Sequence, residues 1–374
     1  MTAFTALTSG FRLSKSFTDS LFSLILPLVI FNITKDPFWA GVAVFLEFFS
    51  RIVGNLTLAK VLNILSERTY LLILSFLKTM AYLASTLFLF DFFTWHVLLL
   101  SCIFSQLYGS VLSNLYEINA KKWAGCSVKG YTSYLKIDNI SMFLSYFVAL
   151  LIGSNLFLMI ICLLSSLIST FFIYSKGSLV FSVSCVEGSL KLNLRDFSKP
   201  FLKNSSLEFL LTLPVAVLFC AYPFFIEKAL NLGTISVREY CFILILKSLF
   251  TIVILHFFSK YQSYNLKVPL FIANGFCGIF ILVSSGYLFI FSTFVFGTIV
   301  FCLYPYIVKE RQELINNQNR HSLTAVAAIV RSTSFATGGI LISISTELSF
   351  LFSVVFLVCF LLSLFFIKIK SYTT

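Results

Sequence analysis

Continuous apolar runs alternate with short polar stretches from one end of this chain to the other. A helix needs ~20 predominantly apolar residues to cross a bilayer. Runs of that kind fall at 9–32, 38–59, 69–91, 95–118, 131–153 and 155–175. They resume at 208–230, 236–258, 266–285, 287–308, 323–345 and 348–368. The pattern predicts about twelve membrane-spanning helices, six on each side of one polar segment. A membrane β-barrel would instead show ~10-residue segments of alternating polarity. The expected architecture is an all-α membrane protein with an N-terminal six-helix half at 1–175, a cytoplasmic central loop at 176–206 and a C-terminal six-helix half at 207–374.

Composition excludes most other classes. Of 374 residues, 59% are hydrophobic and only 11% charged. Soluble domains carry ~25% charged residues. With 46 Phe and a mean hydropathy of +0.97, too little polar surface remains to coat a globule in water. The nine Cys are scattered without a CxxC pair, and His96, His256 and His321 lie far apart, so neither metal nor disulfide is expected. No Walker loop, HExxH or GxSxG occurs; neither an enzyme activity nor a cofactor is expected.

The net charge of +12 could suggest nucleic acid, but the basic residues sit between the apolar runs. If the N-terminus is cytoplasmic, the cytoplasmic loops and tail hold the basic residues from Lys60 and Arg68 to Lys368 and Lys370. The opposite side holds only Lys35, Lys228 and Arg238. By the positive-inside rule both termini face the cytoplasm. The expected partners are the lipid bilayer and a small-molecule substrate, with no nucleic acid, and the chain is expected to act as a monomer. The first run contains Arg12, Lys15 and Asp19 and lacks a small-residue cleavage site, so no cleavable signal peptide is expected.

The halves echo each other, with Leu-Ile-Leu-Pro-Leu-Val-Ile at 24–30 and Cys-Ala-Tyr-Pro-Phe-Phe-Ile at 220–226. Parallel repeats of this kind build many transporters. The first span reads Ser16-Phe-Thr-Asp19-Ser, then Leu26-Pro-Leu-Val-Ile-Phe-Asn-Ile-Thr34-Lys-Asp-Pro37-Phe-Trp-Ala-Gly41. A second motif is Lys129-Gly-Tyr-Thr-Ser before the fifth span. With these stretches the chain resembles the major facilitator superfamily, in the drug and siderophore exporter branch of macrolide and enterobactin exporters. It departs at Asn63-Ile-Leu-Ser-Glu-Arg68-Thr, where the family has a Gly, an Asp-Arg pair and paired basic residues. The fifth span also lacks the family's Gly-Pro-x-x-Gly-Gly. The resemblance implies a multi-pass protein of a bacterial inner membrane, an exporter driven by proton antiport, with an acid in the first span.

Ionisable groups inside apolar spans are costly and face a partner or a watery cavity. Arg12, Lys15 and Asp19 share one face of the first span by their spacing of three and four, and Glu47 and Arg51 are four apart on the second. Asp19 and Glu47 are the candidate proton-coupling acids; the alternative is that both only pair with their helical neighbours. The other intramembrane charges are Lys78, Lys136, Asp138, Lys247 and Arg331. Bases exceed acids by four, which favours an anion-bearing substrate over a cationic one. Lys247 and Arg331 either hold that anion or pair across helices with Asp138 or Glu47. Pro27 and Pro223 are expected to kink the first and seventh spans as gates. The function expected is proton-coupled export of a small anion-bearing or amphipathic compound: a siderophore, an antibiotic or a peptide-like molecule. Alternatives are a lysophospholipid flippase, whose family also has an acidic first span, and a membrane sensor or interaction protein that transports nothing.

Overall fold

The computed structural model describes residues 13, 15–23, 26, 29–30, 33–34, 36–62, 64–90, 94–124, 128–180, 198–220, 222–230, 236–260, 266–314, 320–345 and 347–366. Arg12 and Pro27 lie outside them. All regular structure among these residues is α-helical. Helix α1 comprises the described helical positions within 13–34. It is followed by α2 (Pro37–Leu62), α3 (Glu67–Phe88), α4 (His96–Ala124), α5 (Val128–Ile152) and α6 (Asn155–Val180). After residues 181–197 come α7 (Lys199–Cys220), α8 (Tyr222–Leu230), α9 (Val237–Phe258), α10 (Lys267–Val283), α11 (Gly286–Leu314), α12 (Arg320–Ile344) and α13 (Leu348–Leu364).

Eight of these helices are long and apolar enough to cross a membrane. Helix α10 and residues Ser349–Leu364 of α13 form shorter apolar helices. Large side chains that would be misplaced in water point outward along them, including Phe171, Phe276 and Phe365. A helix in lipid closes its own backbone hydrogen bonds, so such a surface needs nothing further.

Two helix boundaries differ from the sequence expectation. The segment 176–206 is helical at both ends, because α6 runs on to Val180 and α7 begins at Lys199. The predicted seventh span is covered by α7 and α8, and Ala221 between them lies outside the described residues. Pro214 and Pro305 lie inside α7 and α11.

Closely packed seams join helices before residues 181–197 to helices after them: α2 lies along α12, and α5 along α9. On the first seam the backbones nearly touch. A Cβ on Gly41 would stand 2.8 Å from the carbonyl oxygen of Gly339, and one on Gly339 would stand 2.8 Å from the Phe45 nitrogen. One step further along, Phe48 stacks on Phe335 with centroids 4.4 Å apart. Beyond that stack the seam gives way to a cavity.

Candidate functional site

The cavity has a volume of about 390 Å³ and is lined by residues from both sides of the 181–197 segment. Lys15 and Ser16 of α1, Arg51 of α2, Ser113 of α4, and Tyr131, Leu135 and Asp138 of α5 line one side. Thr212 and Val215 of α7, Val300, Phe301 and Tyr304 of α11, and Arg331 and Phe335 of α12 line the other. Three cations thus line the cavity with one carboxylate, among hydroxyl-bearing, aromatic and aliphatic side chains. Each cation is anchored from behind.

Lys15 donates to Ser113 Oγ at 2.9 Å and lies 3.5 Å from Asp19. Asp19 also takes Lys78 at 3.2 Å. The Lys78 side chain is only 2% exposed, and its ammonium sits 4.8 Å from the Tyr108 ring centroid and 5.4 Å from that of Tyr82. A desolvated ammonium gains from such aromatic faces as well as from its carboxylate. The spacing of four that put Lys15 and Asp19 together in the sequence does so here; Lys78 is the partner that spacing could not name.

Glu47 and Arg51 are bridged by a residue the sequence gave no reason to single out. Gln106 on α4 accepts from Arg51 Nε at 2.6 Å and donates from its amide to Glu47 Oε1 at 2.7 Å. The direct contact from Arg51 to Glu47 is longer, at 3.5 Å. Ser23 adds a hydrogen bond to Glu47 at 3.3 Å. The Arg51 guanidinium rests on the Phe48 ring, 4.7 Å from its centroid.

Arg331 pairs with an acid that the sequence analysis did not single out. Its Nε donates to Glu208 Oε1 at 2.7 Å, and the other oxygen of Glu208 accepts from Arg311. Glu208 and Arg311 are wholly buried, whereas 31% of the Arg331 side chain is exposed. The Arg331 guanidinium also lies 4.7 Å from the Tyr304 ring centroid. Sequence reasoning missed Glu208 and Arg311 because both sit where an apolar run ends, and Arg311 was assigned to a loop. The signal available was Glu208 itself, an acid between Leu207 and Phe209-Leu210-Leu211. One added acid and one added base leave the surplus of interior positive charge unchanged.

The remaining candidates are dispersed. Asp138 accepts from Ser16 Oγ at 2.9 Å at the cavity wall. Lys136 donates to Ser259 at the end of α9 at 2.6 Å, on the α5–α9 seam. Lys247 lies in α9 with its ammonium 5.9 Å from the Tyr222 ring. Pro223 lies in α8. A further pair, Lys267 with Glu310 at 2.7 Å, links α10 to α11 away from the cavity lining. Among the described residues no group of three or more His, Cys, Asp or Glu gathers to hold a metal ion.

No family model matches the sequence, and no curated protein matches it. Solved structures do match along the whole length. A bacterial homologue of the iron transporter ferroportin, in an outward-facing state, has a TM-score of 0.69 at 14% identity, with 98% of this chain and 99% of that one covered. The human organic anion transporter MFSD10 (TETRAN) gives 0.66 at 12% identity, covering 98% and 100%. The E. coli fucose:proton symporter FucP gives 0.65 at 10%, covering 98% of each. These are transporters of the major facilitator superfamily. At such identities the likeness establishes the fold: a multi-pass membrane protein built as major facilitator transporters are.

Proposed function

We propose that this chain is a secondary active transporter of the major facilitator superfamily that moves a small anion-bearing compound. On this reading twelve spans form two six-helix halves, at 1–175 and 207–374, with α7 and α8 together making the seventh span. The halves rock about the cavity between them. The observation that carries the reading is the cavity lining, where Lys15, Arg51 and Arg331 face a single carboxylate, Asp138. Guanidinium and ammonium groups held in place by buried partners are prepared to receive a carboxylate or phosphate, because the cost of ordering them is already met within the fold. Export, proton coupling and cytoplasmic termini extend the reading along the exporter resemblance of the first span.

Asp19 and Glu47 are the acids proposed to carry the proton, and of the two Glu47 is the easier to discharge. Protonating Asp19 would discharge the carboxylate that Lys15 and Lys78 share. Protonating Glu47 would discharge the carboxylate of Arg51 alone, which keeps the carbonyl of Gln106. The test is uptake into inverted vesicles under an imposed pH gradient, with anionic, neutral and cationic compounds of similar size. The anions should accumulate, and Glu47→Gln protein should exchange them but no longer concentrate them. Accumulation of the cations alone would end the anion reading. Undiminished pH-driven uptake by both Glu47→Gln and Asp19→Asn would remove these acids as carriers.

A further inference from the structure

A second cavity, of about 320 Å³, shares no lining residue with the first and lies where α8 and α10 end and α11 and α13 begin. From it we infer a binding site for one anionic phospholipid of the surrounding bilayer, its headgroup at Lys228 and an acyl chain over a floor of rings. The inference does not depend on the transport reading. Its lining is sorted by depth. Phe225 of α8 meets Phe289 of α11 and Phe352 of α13, with centroids 5.7 and 6.5 Å apart. Phe225, Phe352 and Ile281 of α10 are buried. On each of the four helices a polar residue stands one turn nearer the helix end than the apolar one: Lys228 beyond Phe225, Ser284 beyond Ile281, Ser285 before Phe289 and Ser349 before Phe352. One turn rises ~5.4 Å, so the polar rim stands about that far from the floor of rings.

The rim offers donors. Ser284 and Ser353 donate their hydroxyls to the carbonyls of Ile281 and Ser349, at 3.2 and 2.8 Å. The side chains of Lys228, Ser285 and Ser349 make no hydrogen bond or ion pair among the described residues, which leaves one ammonium and two hydroxyls for the acceptor oxygens of a phosphate. No carboxylate is among the described lining residues; Glu227 and Glu347 stand at the same helix ends but outside the lining, so a cationic headgroup finds no partner there. The neighbours of the rim fix where its mouth opens. Val283, Tyr287 and Phe350, each next in sequence to a lining residue, are 76, 81 and 67% exposed. Such side chains suit lipid and its interface rather than water, and the anions on offer at that interface are lipid headgroups.

The experiment offers the full chain in mild detergent three compounds: phosphatidylglycerol, phosphatidylcholine with the same acyl chains, and glycerol 3-phosphate as a headgroup without chains. Native mass spectrometry reads the lipids retained, and thermal unfolding reads the stabilisation. Phosphatidylglycerol should bind about fivefold more tightly than phosphatidylcholine, the factor for one lysine acting on an anionic lipid group. Lys228 is exposed at the end of α8, and Lys228→Gln should abolish that preference and retain one phosphatidylglycerol fewer. Lys228→Arg should keep both. Arg238→Gln, which removes a cation outside the cavity lining, should change neither. Equal binding of the two lipids by the unmodified protein would overturn the inference. So would a preference that survives Lys228→Gln, or one that Arg238→Gln reduces as much, since general surface charge would then explain it. Glycerol 3-phosphate stabilising as strongly as phosphatidylglycerol would overturn it too, because the floor of rings would then play no part.

Discussion

The α3–α6 seam, before residues 181–197, and the α10–α13 seam, after them, are held by different means. Between α3 and α6 the contacts are hydroxyls: Ser75 with Thr170 at 2.7 Å, and Thr79 with Ser166 at 2.8 Å and with Thr170 at 3.2 Å. Small side chains let those helices run close together. Between α10 and α13, Phe271 stacks on Phe360 across the seam at 5.2 Å, and Phe360, Phe356 and Phe352 continue the stack along α13 itself at 5.8 and 6.1 Å. These rings sit on glycine: a Cβ on Gly278 would lie 1.9 Å from Phe356, and one on Gly275 would lie 2.3 Å from Phe360. In lipid no hydrophobic force draws helices together, so association depends on close packing or on interhelical hydrogen bonds. The chain uses one answer on each side of residues 181–197. The ion pairs also differ in exposure, since Arg51 of the Glu47–Arg51 pair lines the cavity while Glu208 and Arg311 are sealed.

The largest effect should come from the sealed pair. Glu208→Gln removes the buried carboxylate that Arg311 and Arg331 share, and breaking a buried ion pair costs about 3–5 kcal/mol. The measurement is thermal unfolding of the purified protein. Glu47→Gln should cost clearly less, because 35% of the Arg51 side chain is exposed and Arg51 keeps Gln106. Equal losses would erase the distinction between a sealed and a water-facing network.

Next comes the ring seam. Phe356→Ala removes a ring that touches Phe296, Phe352 and Phe360 and fills the notch over Gly278. In a soluble core such a change costs about 3–5 kcal/mol. Part of that is transfer out of water, which falls away when the separated helix is also in lipid; about 2–3 kcal/mol should remain. Gly278→Ala approaches the same contact from the other helix, and the overpacking should cost about 1–2 kcal/mol as Phe356 shifts. If Gly278→Ala is silent while Phe356→Ala is severe, the rings matter for filling space and the notch does not set their position.

How much of this was legible follows from the physics of each feature. Hydropathy over ~20 residues finds a span, and a spacing of four finds Lys15 with Asp19 and Glu47 with Arg51, because both are local properties. Helix ends were misjudged where a polar residue at the end of a span has a partner on another helix. Helix α7 begins at Lys199 rather than 208, and α11 runs past 308 to Leu314. Glu310 and Arg311 sit in the extension of α11 and pair with Lys267 and Glu208 at the ends of neighbouring spans. A helix does not stop where hydropathy does if its next turn is paired. Arg331 and Glu208 are 123 residues apart in sequence, and nothing local joins them. Gln106 carries no charge and so gave no signal, although it holds both members of the Glu47–Arg51 pair. The two arginines of the cavity were both named as candidates, but their convergence on one space depends on the packing of α2 against α12.

The smallest expected effect is the sharpest test of the hydroxyl seam. Thr79→Val keeps the branched shape and removes the hydroxyl that meets both Ser166 and Thr170. Interhelical hydrogen bonds in membranes average only about 0.6 kcal/mol and reach about 1.7, since a separated helix finds other partners. The Thr79 hydroxyl also donates to the Ser75 carbonyl within its own helix, so part of its polar demand is met whether or not α6 is present. The loss should therefore lie near the lower figure, and Thr170 can fall back on its bond to Ser75. A double change, Ser75→Ala with Thr79→Val, removes that fallback and should cost more than the sum of the two single changes. Additive losses would mean that the hydroxyls act one by one and that close approach of small side chains, not a shared network, holds α3 to α6. A Thr79→Val loss as large as that of Phe356→Ala would break the comparison itself, because both seams would then resist disruption equally by unrelated means.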